Sequence, residues 1–245
     1  MAETDSIAKL ASLFARMRPV DLSPKLERGI PRWPTHPHMI IDKTVNHEHD
    51  GYYCQGLVMA EHTGCHCDAP AHNHPGATTV DHLPIDQMIA PAALYDFAPL
   101  NMKPGDMLTP EMVENYERDR GVKVGPGEIA LVNFGWMKRY WRCDREAQWY
   151  ALNSPGMTEE TAILFKKRGI KAIGADTVAC EIALVDGVGS PATGHLRHWL
   201  PNGIPIIEML TNLEQLAKRS FFVAAPLRID EGSGSPLRPI GFCEQ

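Results

Sequence analysis

The sequence predicts an α/β fold built as a single domain over residues 1–245, on three observations. Strand-like runs alternate with helix-like ones in the second half, the first hundred residues are richer in β patterning, and no repeat, low-complexity tract or linker divides the chain. With 245 residues, 44% of them hydrophobic and 22% charged, the chain can bury one large core.

Asp5 stands where it would cap a short amphipathic helix, with Ile7, Leu10, Leu13, Phe14 and Met17 spaced along one face. Val20 to Ser23 reads as the start of a strand. The Pro-rich loop after Gly29 carries Trp33, His36 and His38. Gly56 to Glu61 gives a short strand that delivers His62, residues 78–88 form a turn-rich connection, and Ile89 to Phe97 is a buried strand. Pro104-Gly105 turns the chain, and Thr109-Pro110 opens a helix that runs to about Arg120. Glu128 to Phe134 is a strand leading into GWMKRYWR, whose aromatic rings read best as core with snorkelling basic ends. Thr158 caps a helix that Gly169 stops, and Ile170 to Ala175 forms a strand ending at Asp176.

The chemistry concentrates in residues 61–74, EHTGCHCDAPAHNH, with four histidines and one aspartate. Counted from His62, residues His66, Asp68 and His72 fall on even steps, which share one face of an extended chain. A helix would turn Asp68 roughly 160° from His66, and Pro70 opposes an unbroken helix. A straight strand fails as well. Four extended residues span roughly 13 Å, whereas donors sharing one ion at about 2.1 Å lie about 3–4 Å apart. The chain must therefore kink, and Gly64 permits it. His62, His66 and Asp68 would then hold a cation with one position open, the pattern of a catalytic site. Cys65 and Cys67 fall on odd steps and point away.

This run, His62-Thr-Gly64-Cys65-His66-Cys67-Asp68-Ala-Pro70-Ala-His72, resembles the HxGTHxDxPxH signature of the cyclase family of metal-dependent hydrolases, which includes kynurenine formamidases and isatin hydrolases. Cys65 stands where that signature has threonine. The resemblance implies a swivelling β/β/α-type fold with a barrel-like central sheet and peripheral helices, and a homodimer or homotetramer. It makes His62, His66 and Asp68 metal ligands and His72 the proton-transfer residue. It also implies one or two Mn²⁺ or Zn²⁺ ions per subunit, a choice that donor softness leaves open. Trp33 becomes a substrate wall, although a loop tryptophan covering core fits equally, and Asp176 a substrate-binding position near the site.

A second constellation lies near residue 200. Ile204, Ile206 and Glu208 alternate on one face of a short strand, and a carboxylate there needs a cation or hydrogen bonds. By resemblance Glu208 and a nearby histidine complete a second metal position, with Asp68 able to bridge. The family spacing lands on Leu196, so one inserted residue would bring in His195, which is preferred over His198. Without a cation, Glu208 would pair with Arg197 or Arg219.

A cation so held lowers the pKa of bound water and polarises a carbonyl oxygen, so hydroxide can attack an amide carbonyl. The expected function is hydrolysis of a cyclic amide such as isatin, or of an N-formyl or aryl amide such as N-formylkynurenine. An aromatic polyketide-type cyclase and a non-catalytic metal-binding protein are the alternatives. The net charge of −6 without a basic run disfavours nucleic acid and anionic membranes and leaves a small molecule as partner. No apolar run approaches the ~20 residues that span a bilayer. Interleaved charges at the N-terminus and six cysteines without a signal pattern point to reduced thiols in a cytoplasm.

Overall fold

The protein is described by a computed structural model that covers residues 2–244. Nine strands build one mixed sheet, curled into a half-barrel. In spatial order they are Met17–Asp21, Ile240–Glu244, Arg219–Val223, Ile89–Asp96, Ile129–Asn133, Ala172–Ala175, Ile206–Glu208, His66–Asp68 and Gly234–Pro236. The four from Ile89–Asp96 to Ile206–Glu208 run parallel. The central strand Ile129–Asn133 is apolar almost throughout because both of its faces are covered. Ala130 and Val132 enter one core with Trp136, Phe165 and Trp199, while Ile129 and Leu131 enter the other with Leu22 and Phe222.

The register at one end of the sheet creates the site. His66–Asp68 pairs antiparallel with Ile206–Glu208, so that Glu208 stands opposite His66 and Ile206 opposite Asp68. Because side chains alternate, His66, Asp68 and Glu208 share one face. Cys65, Cys67 and Ile207 enter the core on the other face.

Helix caps follow the sequence closely. Thr109 accepts from the amide of Met112 at the start of Pro110–Arg120, and Thr158 accepts from that of Thr161 at the start of Glu159–Lys167. The N-terminal helix differs from expectation: it spans Ala2–Arg16, so Asp5 lies within it and pairs with Lys9 one turn on. Phe14 meets Phe242 edge-on at 4.7 Å, but Ile7, Leu10 and Leu13 remain exposed. Met17 belongs to the first strand, which spans Met17–Asp21 and not Val20 onward. The strand expected over Gly56–Glu61 is Cys54–Val58, paired with Ile40–Val45 in a ribbon outside the main sheet. His62 is therefore delivered by a turn. Trp136 and Met137 are core, and the Arg139 guanidinium lies 5.4 Å from the centre of the Trp136 ring.

All six cysteines are free thiols. No helix among the described residues is long and apolar enough to cross a membrane.

Candidate metal centre

Gly64 has φ +64°, a left-handed conformation that favours glycine, and a Cβ there would also push the end of the Leu26 side chain aside. The reversal brings His62 Nδ1 to 2.7 Å from Asp68 Oδ1. Pro70 then opens a single 3₁₀ turn ending at His72, whose ring centre lies 4.2 Å from that of His62. Cys65 is buried in the opposite core, so its thiol takes no part in the site.

Asp68 and Glu208 each offer one oxygen to each of two imidazoles. His66 Nε2 lies 3.4 Å from Asp68 Oδ1 and 3.4 Å from Glu208 Oε2. His195 Nε2 lies 3.2 Å from Asp68 Oδ2 and 3.5 Å from Glu208 Oε1. Charge-assisted hydrogen bonds are shorter, about 2.7–2.9 Å, whereas donors around one ion at about 2.1 Å sit about 3–4 Å apart. Donor atoms of His66, Asp68 and Glu208 lie within 4.8 Å of one another, as do those of His62, Asp68 and His72. This divides the expected trio of His62, His66 and Asp68 between two groups that share Asp68, and it puts His72 in ligand range.

His195 reaches the site through one wider turn. Residues Gly194–His198 form a π-helical turn, with the amide of Trp199 donating to Gly194 O at 2.7 Å. Such a turn holds one residue more than an α-helical one, and within it His195 is buried and faces Asp68. His198 turns away to Glu159, 2.9 Å from its carboxylate. Arg197 also pairs with Glu159 and Arg219 with Glu128, so neither arginine neutralises Glu208.

These groups line a cavity of about 360 Å³ whose other wall is apolar, with Trp33, Val178, Ala179, Ile182, Ala192 and Met209. Trp33 thus stands where a substrate wall was expected. Asp176 does not line this cavity. Its carboxylate accepts from the amides of Phe134, Trp136 and Met137, which tie down the chain entering the short helix Trp136–Tyr140. Burial outweighs those hydrogen bonds and pushes its pKa to about 6. The expected substrate contact is a backbone clamp, because a strand end facing three free amides satisfies them first.

Three groups carried no signal or a weak one in the sequence. His36 lines the cavity on the proline-rich loop, its ring 5.5 Å from that of His62 and its Nδ1 buried without a hydrogen-bond partner. Arg32 fixes that loop by donating to the carbonyls of Trp33, Pro34 and His36. Ser233 Oγ contacts His62 Nε2 at 2.9 Å and donates to Glu61 at 2.6 Å. Glu61 adjoins the histidine run, and Ser233 sits in the GSGS stretch, so both were visible but unpaired. Glu181, fully buried, accepts from His195 Nδ1 at 2.8 Å.

Burial raises the Asp68 pKa, but hydrogen bonds from His195, His62 and His66 more than offset this and hold it well below the usual carboxylate range. Burial lowers the His66 pKa, and Asp68 and Glu208 override it and draw it up to about 10. The carboxylates therefore demand positive charge, and no lysine or arginine lines the cavity. Glu208 Oε1 is buried and makes no hydrogen bond. Two imidazoles, two carboxylates, an orphaned carboxylate oxygen and spacings of 3.2–3.5 Å fit a divalent cation.

Comparison with known proteins follows the same lines. The Cyclase family model matches residues 20–182. The chain is 27% identical over 220 residues to isatin hydrolase of Roseibium aggregatum, covering 84% of this chain and 81% of that protein. It is 24% identical over 226 residues to kynurenine formamidase of Bacillus cytotoxicus, covering 90% and 95%. Isatin hydrolase A from Labrenzia aggregata, solved bound to benzyl benzoate, superposes with a TM-score of 0.83 at 26% identity over 100% of both chains.

Proposed function

The chain belongs to the cyclase family, and on that footing we propose that it is a metal-dependent hydrolase that opens a neutral, aromatic cyclic amide. The observation that carries this reading is the orphaned Glu208 oxygen, buried among Asp68, His66 and His195 beside a cavity with one largely apolar wall. When bound there, a manganese or zinc ion activates water at neutral pH and polarises the scissile carbonyl.

His66, His195, Asp68 and Glu208 would hold the ion, and His62 contacts the Asp68 oxygen that also faces His66. His72 takes the proton of the attacking water and returns it to the leaving nitrogen. Burial and the neighbouring His62 and His195 hold the His72 pKa below its ordinary value, and Asp68 and Glu208 only partly offset them. The imidazole is therefore neutral, as a base must be. Trp33, Val178, Ala179 and Ile182 accept a flat apolar ring, and His36 lines the same cavity. The reaction balances: water oxygen bonds to carbonyl carbon, the ring C–N bond breaks, and nitrogen takes the proton.

The lining also orders the two substrate types of the relatives. A free amino-acid tail, as in N-formylkynurenine, brings an ammonium and a carboxylate. The cavity offers no lysine or arginine, and its carboxylates are engaged at the cation site. Leaving a charge unpaired costs several kcal/mol, and each 1.4 kcal/mol is about tenfold in rate. Isatin and related cyclic imides are expected to show kcat/KM at least about tenfold above that of N-formylkynurenine in a Mn²⁺-supplemented hydrolysis screen. Preference for N-formylkynurenine would reverse the substrate order. Absence of turnover above the free ion on every amide would remove the hydrolase reading. The exposed Ile40, Leu57 and Val58 on the outer ribbon and Ile7, Leu10 and Leu13 on the N-terminal helix are the faces that a homodimer or homotetramer would bury.

A further inference from the structure

We infer that Glu181 is a positioning residue: a buried carboxylate that holds His195 in the one tautomer and orientation able to ligate, and so sets the cation affinity on the His195 side of the site. This rests on the metal-dependent reading above.

The three imidazoles nearest the carboxylates are backed differently. His66 Nδ1 contacts Gly64 O at 2.8 Å, a neutral carbonyl, and His62 Nε2 contacts a serine hydroxyl. His195 alone is backed directly by a charge. Its Nδ1 lies 2.8 and 3.0 Å from the two Glu181 oxygens, and its backbone amide donates to Glu181 Oε1 at 3.0 Å. With Nδ1–H committed to Glu181, Nε2 keeps its lone pair and faces Asp68 Oδ2 and Glu208 Oε1.

The surroundings are shaped for this contact. A Cβ on Gly194 would stand 2.8 Å from Glu181 Cδ and 2.3 Å from Trp199 Cε3, so only glycine lets the π-helical turn approach the carboxylate. Glu181 has no exposed surface, and among the described residues no lysine or arginine pairs with it. A fully buried carboxylate whose only side-chain partner among the described residues is an imidazole is costly unless positive charge lies close by. That cost is offset when the imidazole also faces a cation, since a carboxylate on the far nitrogen strengthens a histidine ligand. Val178, Ala179 and Ile182 flank Glu181 in the chain and line the cavity, so one segment supplies both the substrate wall and the support for His195.

The test is Mn²⁺ titration of the full chain, counting free ion by electron paramagnetic resonance, for wild type, Glu181→Gln and Glu181→Ala. Loss of such an outer partner typically weakens metal binding about 10–100-fold. The weakest-bound equivalent is expected to lose affinity in that range, more in the alanine variant than in the glutamine variant. Glutamine keeps the volume and an acceptor, so the metal-free melting temperature of Glu181→Gln should stay near wild type while its affinity falls. Wild-type affinity in Glu181→Gln, or a loss matched by an equal loss of metal-free stability, would overturn the assignment. Failure of the wild type to bind Mn²⁺ would instead remove the metal-dependent reading on which it rests.

Discussion

Asp68→Asn is expected to leave a folded protein that has lost its cation and with it all measurable hydrolysis. Asp68 is the one side chain shared by both donor groups, with one oxygen toward His62 and His66 and the other toward His195. Asparagine keeps the shape, but it replaces one charged oxygen by an amide NH₂ that repels a cation. The fall in affinity should exceed the roughly 10–100-fold that loss of an outer partner costs. Metal content after dialysis and kcat/KM check it together. An Asp68→Asn protein that retains its ion and turns over normally would remove Asp68 from the centre.

The second large effect concerns His72→Ala. A positioned acid–base group contributes roughly 10²–10⁴-fold, so kcat should fall by that factor while the ion stays bound. The companion observation is metal content, because His72 lies with His62 and Asp68 within 4.8 Å. Loss of the ion along with turnover would make His72 a fourth ligand. Intact turnover would mean that the proton travels elsewhere.

Much of this site was legible in the sequence because its geometry is local. His66 and Asp68 share one strand face, as their even steps imply, while His62 arrives on a turn and His72 on a 3₁₀ turn; the kink at Gly64, expected from the short reach of a shared ion, is present. Glu208 was legible because a carboxylate ending an apolar strand needs explanation. His195 was legible only as one residue out of place, and a π-helical turn is a property of the folded chain that no spacing rule announces. Glu181 and His36 reach the site through tertiary contacts across 14 and 26 residues from their nearest partners, His195 and His62. Asp176 was over-read because a strand-end aspartate looks the same whether it caps a turn or faces a substrate. Among the elements, capped helices were placed well, since Thr109 and Thr158 announce themselves. The strand before His62 was misplaced because short β runs lack such punctuation.

His66, His195, Asp68 and Glu208, whose imidazole nitrogens lie 3.2–3.5 Å from the carboxylate oxygens, are expected to hold a divalent cation. Elemental analysis of the purified protein after exhaustive dialysis tests it most directly. At least one equivalent of manganese or zinc per chain, released by a strong chelator and restored by added ion, is the predicted result. Protein that is metal-free after dialysis, and that fails to retain either ion when offered it in excess, would contradict the account.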